Sequence, residues 1–156
     1  MSRADGIKER EAALAEALEA LVGCIPYAGT LGVRYDRLGD ELTARLPFSD
    51  EIVGNPLLPA IHGGVTGAFL EIAAQLQLGW NEVVAHGLKP APLTIPKTID
   101  ISIDYLRSGR PRETFARAEV QKAGRRVSHV HVIAWQDEKS RPIAMMRGNF
   151  LMPEER

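Results

Sequence analysis

Residues 59–74 read PAIHGGVTGAFLEIAA, and two features within them could do chemistry. One is the run His62-Gly63-Gly64 at the mouth of an apolar segment; the other is Glu71, the single carboxylate in its middle. The start of a helix carries N–H groups without intrahelical partners and a partial positive charge. Glycines there let a ligand carbonyl approach the backbone without interference from a Cβ. The run therefore has the parts of an oxyanion hole, and a nearby carboxylate can act as base or nucleophile.

Spacing then poses a geometric problem. At a rise of 1.5 Å per residue, Glu71 lies roughly 10 Å along a helix from Gly64, too far for one carboxylate to serve a carbonyl held at that helix start. Two such helices lying antiparallel across a two-fold axis would bring Glu71 of one to the His-Gly-Gly of the other, giving two equivalent sites. Gly67 and Ala74 fall within one turn of Glu71 on either side and predict space for a ligand beside it. Read as packing alone, Glu71 would pair with an interior Arg, the glycines would serve close helix contact, and His62 would shape the turn.

The elements that must position these groups follow from periodicity. Residues 3–22 predict an amphipathic helix, with Leu14, Leu18 and Leu21 on one face and Gly23 as its stop. LGVRYDRLGDELTARLPF predicts a β-hairpin turning at Leu38-Gly39-Asp40, and SDEIVGNPLLPA a loop broken by Pro56 and Pro59. Residues 62–78 predict a helix apolar on both faces, through Val65, Phe69, Ile72 and Leu76 on one side and Leu70, Ala74 and Leu78 on the other. Such a helix is buried on both faces. GLKPAPLTIP reads as a proline-rich connection.

Beyond it the period becomes two. In TIDISIDYLR the alternation places Ile99, Ile101, Ile103 and Tyr105 on one face and Thr98, Asp100, Ser102 and Asp104 on the other. Three further strands are predicted in ETFARAEVQK, RVSHVHVIAWQ and RPIAMMRGNFLM, with turns at 122–124 and 137–140. The fold class is α+β: about six antiparallel strands wrapped round one long helix, preceded by an extra helix over 1–23, with the main domain spanning 24–156.

Composition narrows the functional classes. The 156 residues fit one domain, 45% are hydrophobic, and a net charge of −1 offers no broad attraction for nucleic acid or an acidic membrane surface. The charged N-terminus lacks the apolar stretch of a signal peptide, and no run approaches the roughly 20 apolar residues of a membrane span. Cys24 is the only cysteine, which with the rest predicts a cytoplasmic protein. His129 and His131, two apart on a strand, have a spacing seen at metal sites, but no further ligands stand at a suggestive spacing, so no metal is expected. Arg107, Arg110 and Arg112 surround one turn and Lys122, Arg125 and Arg126 another, and either group could grip phosphates. There is no G-x-S-x-G elbow to support a serine nucleophile.

IHGGVTGAFLE, then TIDISIDYLR, a GRR turn and a last strand ending GNF resemble the hot-dog-fold acyl-CoA thioesterases, in the phenylacetate-pathway branch related to the 4-hydroxybenzoyl-CoA enzymes. The resemblance covers 31–152. It implies a homodimer or homotetramer, backbone donors at Gly63 and Gly64, a catalytic Glu71, a contributing His62, and Thr98 orienting the attacking water. No cofactor is implied, since coenzyme A is part of the substrate. Relatives carry an Asn six residues before the His with a Gly between; here Asn55 stands seven before His62 and Pro59 occupies the Gly region.

The function so implied is hydrolysis of a small aromatic or short- to medium-chain acyl-CoA. Asn55, Gly67, Phe69, Arg107, Arg125 and Arg126 are the candidate substrate contacts, with Phe48, Leu57 and Leu58 as further apolar lining. Two rivals stand beside it. A non-catalytic acyl-CoA-binding protein would have no need of Glu71. A hydroxyacyl dehydratase would need a His about fourteen residues before the Glu, and position 57 is Leu.

Overall fold

The computed structural model describes residues 3–87 and 93–154. Two helices open the chain, α1 (Arg3–Gly23) and α2 (Pro26–Leu31). Strands β1 (Arg34–Leu38) and β2 (Glu41–Leu46) follow, then a 3-10 turn at Asp50–Ile52 and two short strands, β3 (Val53–Asn55) and β4 (Ala60–Ile61). The long helix α3 (Gly63–His86) precedes β5 (Lys97–Tyr105), β6 (Thr114–Lys122), β7 (Val127–Trp135) and β8 (Ala144–Leu151). Six strands form one antiparallel sheet in the order β1-β2-β6-β7-β8-β5. Part of the proline-rich connection, residues 88–92, lies outside the described residues.

The hairpin turns where the sequence places it, with Gly39 at φ 61° in a position that suits glycine. Gln77 ties that turn to α3: its Oε1 accepts from the Leu42 N–H at 3.2 Å and its Nε2 donates to the Asp40 carbonyl at 3.0 Å. The inner face of the sheet alternates buried residues, among them Ala116, Ala118, Val130, Val132, Ala134, Met146 and Phe150. The alanines let α3 sit close over the sheet, and Phe69, Leu70, Ala74 and Leu76 of α3 are fully buried between layers. Each such large side chain stabilises the fold by about 1.5–3 kcal/mol. On the other side of α3, Leu21 of α1 closes on Gly79, where a Cβ would lie 3.2 Å from Leu21 Cδ2. The N-terminal helix thus contributes Ala17 and Leu21 to the same core. Beneath the hairpin, burial pushes the Tyr35 phenol up.

Four features depart from the periodicity. The helix expected over 62–78 continues to His86, bringing the exposed Glu82 into it as a second carboxylate. The six-residue α2 is bracketed by Pro26 at its start and Gly32 at φ 69° after its end. The expected loop around Asn55 contains the paired β3 and β4. Most important for the site, β5 is bulged: Thr98 pairs with Phe150 and Asp100 with Asn149, leaving Ile99 extra. A bulge inserts one residue and resets the alternation. Thr98 consequently joins Ile103 and Tyr105 on the face toward α3, while Asp100 remains on the outer face beside Asn149.

Candidate active site

Helix α3 runs antiparallel to β5, and three contacts define their register. The Gly63 Cβ position lies 3.4 Å from Tyr105 Cε1, the Gly67 Cβ position lies 3.0 Å from Ile103 Cδ1, and the Thr98 hydroxyl donates to Glu71 Oε1. Gly67 therefore lets the helix settle onto the strand. The space expected there for a ligand is filled by Ile103 and the Tyr105 hydroxyl, because close helix–strand packing needs the missing side chain. Ala74 is likewise buried in the core. Glu71 itself is half-buried, and one turn further on Gln75 Nε2 donates to the Pro96 carbonyl at 3.0 Å, pinning the chain as it enters β5.

The start of α3 is organised around His62, its N-cap residue. The Gly64 N–H donates to His62 Nδ1 at 2.8 Å. The His62 carbonyl accepts from the N–H groups of Val65 at 2.9 Å and Thr66 at 3.1 Å. Of the two glycine donors expected from the sequence, Gly64 is thus occupied by the His62 ring. The Gly63 N–H has no acceptor among the described residues. It belongs to the same peptide unit as the doubly hydrogen-bonded His62 carbonyl, an arrangement that polarises the unit and holds its N–H in place. Gly54 permits the approach of His62, since a Cβ there would lie 2.9 Å from His62 Cα.

Beside this helix start is a cavity of about 360 Å³, lined in part by Ile61, Gly63, Thr66, Tyr105, Arg107 and Ile143. Arg107 also donates to the Pro142 carbonyl at 3.0 Å. Asn55 is exposed and spends its Oδ1 on the Leu57 N–H at 3.0 Å, an Asx-type bond that shapes the loop carrying Leu57 and Leu58. Both leucines are exposed, Leu57 at 91% and Leu58 at 69%.

Arg125 and Arg126 are exposed in the β6–β7 turn, at the end of the sheet where Val127, Leu151 and Lys97 align and therefore near Thr98 rather than near Gly63. Phe69, expected to contact substrate, is instead 0% exposed within the core, since its face of α3 packs against neighbouring elements rather than the cavity.

The histidine pair lies on the outer face of the sheet. His129 Nδ1 is 3.0 Å from Asn149 Oδ1, and its Nε2 is 3.2 Å from His131 Nε2. Among the described residues no group of three His, Cys, Asp or Glu side chains is placed to hold a metal ion. Nor is any helix among them long and apolar enough to cross a membrane.

Sequence reasoning overlooked Tyr105 as a site residue. Its hydroxyl donates to the Gly63 carbonyl at 2.6 Å. A strand alternation announces only that such a tyrosine faces inward. Its proximity to Gly63 depends on how far α3 slides along β5, which no local spacing encodes.

The parts assembled here recur in known proteins. Residues 55–151 match the family model described as the acyl-CoA thioesterase N-terminal domain. The chain is 31% identical over 128 residues to the medium/long-chain acyl-CoA thioesterase YigI of Escherichia coli, covering 78% of this chain and 82% of that protein. A solved structure of a Chromobacterium violaceum protein is 37% identical, covers 98% of both chains and superposes with a TM-score of 0.65. A Shewanella oneidensis structure described as related to the thioesterase superfamily is 25% identical, covers 90% of this chain and 97% of that one, and reaches a TM-score of 0.76. A sheet wrapped round a central helix that begins His-Gly-Gly, together with a family match spanning the site, makes this chain a hot-dog-fold member of the acyl-CoA thioesterase family.

Proposed function

We propose that the protein hydrolyses medium-chain acyl-CoA thioesters at sites shared between two copies of the chain. The observation that carries this reading is the register of α3 on the edge strand β5: Gly63 lies beside Tyr105 at one end, and Glu71 is held by Thr98 at the other. Gly63 and Glu71 are eight residues apart, about 12 Å along the helix, so one chain cannot apply both groups to one carbonyl.

Among the described residues strand β5 has only β8 as a neighbour, and Ile99, Ile101 and Tyr105 along it are exposed at 53%, 36% and 56%. An open edge carrying apolar side chains is a template for another strand. Antiparallel pairing of β5 with its copy, centred near Ile101, places the Thr98 end of one strand at the Tyr105 end of the other. Glu71 of each chain then reaches Gly63 of its mate, and isologous symmetry makes two such sites.

In each site the thioester carbonyl accepts from the Gly63 N–H, which stabilises the oxyanion as the carbonyl carbon becomes tetrahedral. Glu71 either adds to that carbon or takes a proton from the water that does, with Thr98 fixing its carboxylate. Collapse of the intermediate breaks the C–S bond, releasing the CoA thiolate and, after water has added, the free acid. Arg107 at the cavity, together with Arg125 and Arg126 of the second copy, supplies positive charge for the CoA phosphates.

The medium-chain assignment rests on the relationship to YigI, described as a medium/long-chain acyl-CoA thioesterase, and on the exposed apolar Leu57 and Leu58 in the loop before α3. The test is thiol release from a panel running from acetyl- to palmitoyl-CoA, with benzoyl- and phenylacetyl-CoA included. Each methylene buried is worth about 0.8 kcal/mol, so kcat/KM should rise roughly fourfold per methylene from short chains into the medium range. A preference for the aromatic thioesters, or a flat profile, would overturn the chain-length assignment, and absence of thiol release throughout would overturn hydrolysis.

A further inference from the structure

Tyr105 is more than half exposed, yet its hydroxyl is committed to the Gly63 carbonyl at 2.6 Å, with the ring lying over a residue that has no side chain. The Gly63 carbonyl and the Gly64 N–H are the two ends of one peptide unit. Donation to the oxygen makes the N–H a stronger donor, because hydrogen bonds in a chain polarise one another. That N–H in turn donates to His62 Nδ1 at 2.8 Å. A ring nitrogen that accepts carries no proton, so the neutral His62 ring has its proton on Nε2.

We propose that Tyr105 is a positioning residue: through the Gly63–Gly64 peptide it fixes the His62 ring as the Nε2–H tautomer, so that the ring offers a hydrogen-bond donor at the start of α3. The proposal deepens the thioesterase reading and, in its effect on turnover, rests on it. Two consecutive peptide units are then anchored for one purpose. The His62–Gly63 unit is held by Val65 and Thr66 and offers its own N–H. The Gly63–Gly64 unit is held by Tyr105 and orients the imidazole. The sequence HGG followed by a strand-terminal Tyr thus holds both the Gly63 N–H and the imidazole ring in place at a helix start.

Tyr105→Phe removes the hydroxyl and keeps the ring over Gly63. Two readouts separate positioning from a mere latch between β5 and α3: the nitrogen-15 spectrum of the His62 ring, and kcat and KM measured separately. The expected result is a His62 ring in the Nε2–H form in the wild type, with a growing Nδ1–H population in the variant. Turnover should fall about tenfold with KM changed less than about twofold, as for a donor used mainly in the transition state.

A wild-type ring in the Nδ1–H form overturns the proposal with no variant needed. A variant whose ring spectrum is unchanged also overturns it, whatever happens to turnover. Should the wild type hydrolyse no acyl-CoA, the thioesterase reading fails separately, and the ring spectra alone still decide the relay: a tautomer shift in Tyr105→Phe supports it and an unchanged spectrum sinks it.

Discussion

Glu71→Gln is expected to lower kcat by at least about a thousandfold while KM for acyl-CoA stays within about threefold of wild type. Glutamine preserves the shape of the side chain and can still accept from the Thr98 hydroxyl through its amide oxygen, so the bulged start of β5 keeps its anchor. It can neither add to a thioester nor take a proton from water, so both routes open to Glu71 are lost together. Steady-state thiol release, with sedimentation to follow assembly, checks the result. A variant retaining more than about a tenth of wild-type turnover would remove Glu71 from the chemistry and leave it as a partner of Thr98.

The second large effect is expected from Gly63→Pro, which replaces the free N–H by a ring methylene on the same nitrogen, so that the donor is lost and its place is taken by carbon. Gly63 is the first residue of α3, where proline is tolerated because that N–H has no intrahelical role. His62 already has φ −58° and ψ 131°, the extended conformation that a residue before proline prefers. A Cβ at position 63 meets Tyr105 at 3.4 Å, an ordinary contact. The variant should therefore fold and assemble, while turnover falls by about a hundred- to a thousandfold, the usual cost of losing one oxyanion donor. Gly63→Ala adds a Cβ at the same place but keeps the N–H, and should lose less than about tenfold. Equal losses in the two variants, measured on the same thioester, would mean that position 63 needs space rather than a donor.

What the sequence disclosed, and what it withheld, follows from the range over which each feature is specified. The burial of α3 was legible because apolar residues on both its faces admit no other placement. Four strands after it were legible from alternation, and the hairpin from Gly39. The bulge at Ile99 was not, because it is fixed by the register against Phe150 and Asn149, far away in sequence. Thr98 was therefore expected on the face opposite Ile103, although pairing with Glu71 required it on the same one. Six-residue α2 is too short for periodicity to reveal; only Pro26 and Gly32 mark it.

The site shows the same division. His62, Gly63, Gly64 and Glu71 stood out by type and spacing. Which glycine N–H is free was decided by the His62 ring turning back onto Gly64, an N-cap made by a residue outside the usual Ser, Thr, Asp and Asn set. Phe69 looked available for substrate because an apolar residue near a carboxylate can line a site or fill a core, and only the packing around α3 distinguishes them. Arg107 and the Arg125–Arg126 pair could not be ranked from sequence, since which end of β5 each lies at depends on strand register: Arg107 falls at the cavity end and the pair at the Thr98 end.

A single mixing experiment tests the shared site most directly. Glu71→Gln and Gly63→Pro chains are co-refolded or co-expressed and compared with each variant alone. In a mixed dimer one site combines both defects and the other is intact, so a statistical mixture should recover roughly a quarter of wild-type turnover from two nearly inactive parents. Activity no higher than the average of the parents, with mixed dimers shown to be present, would contradict the claim that Glu71 of one chain works on a thioester held by Gly63 of the other.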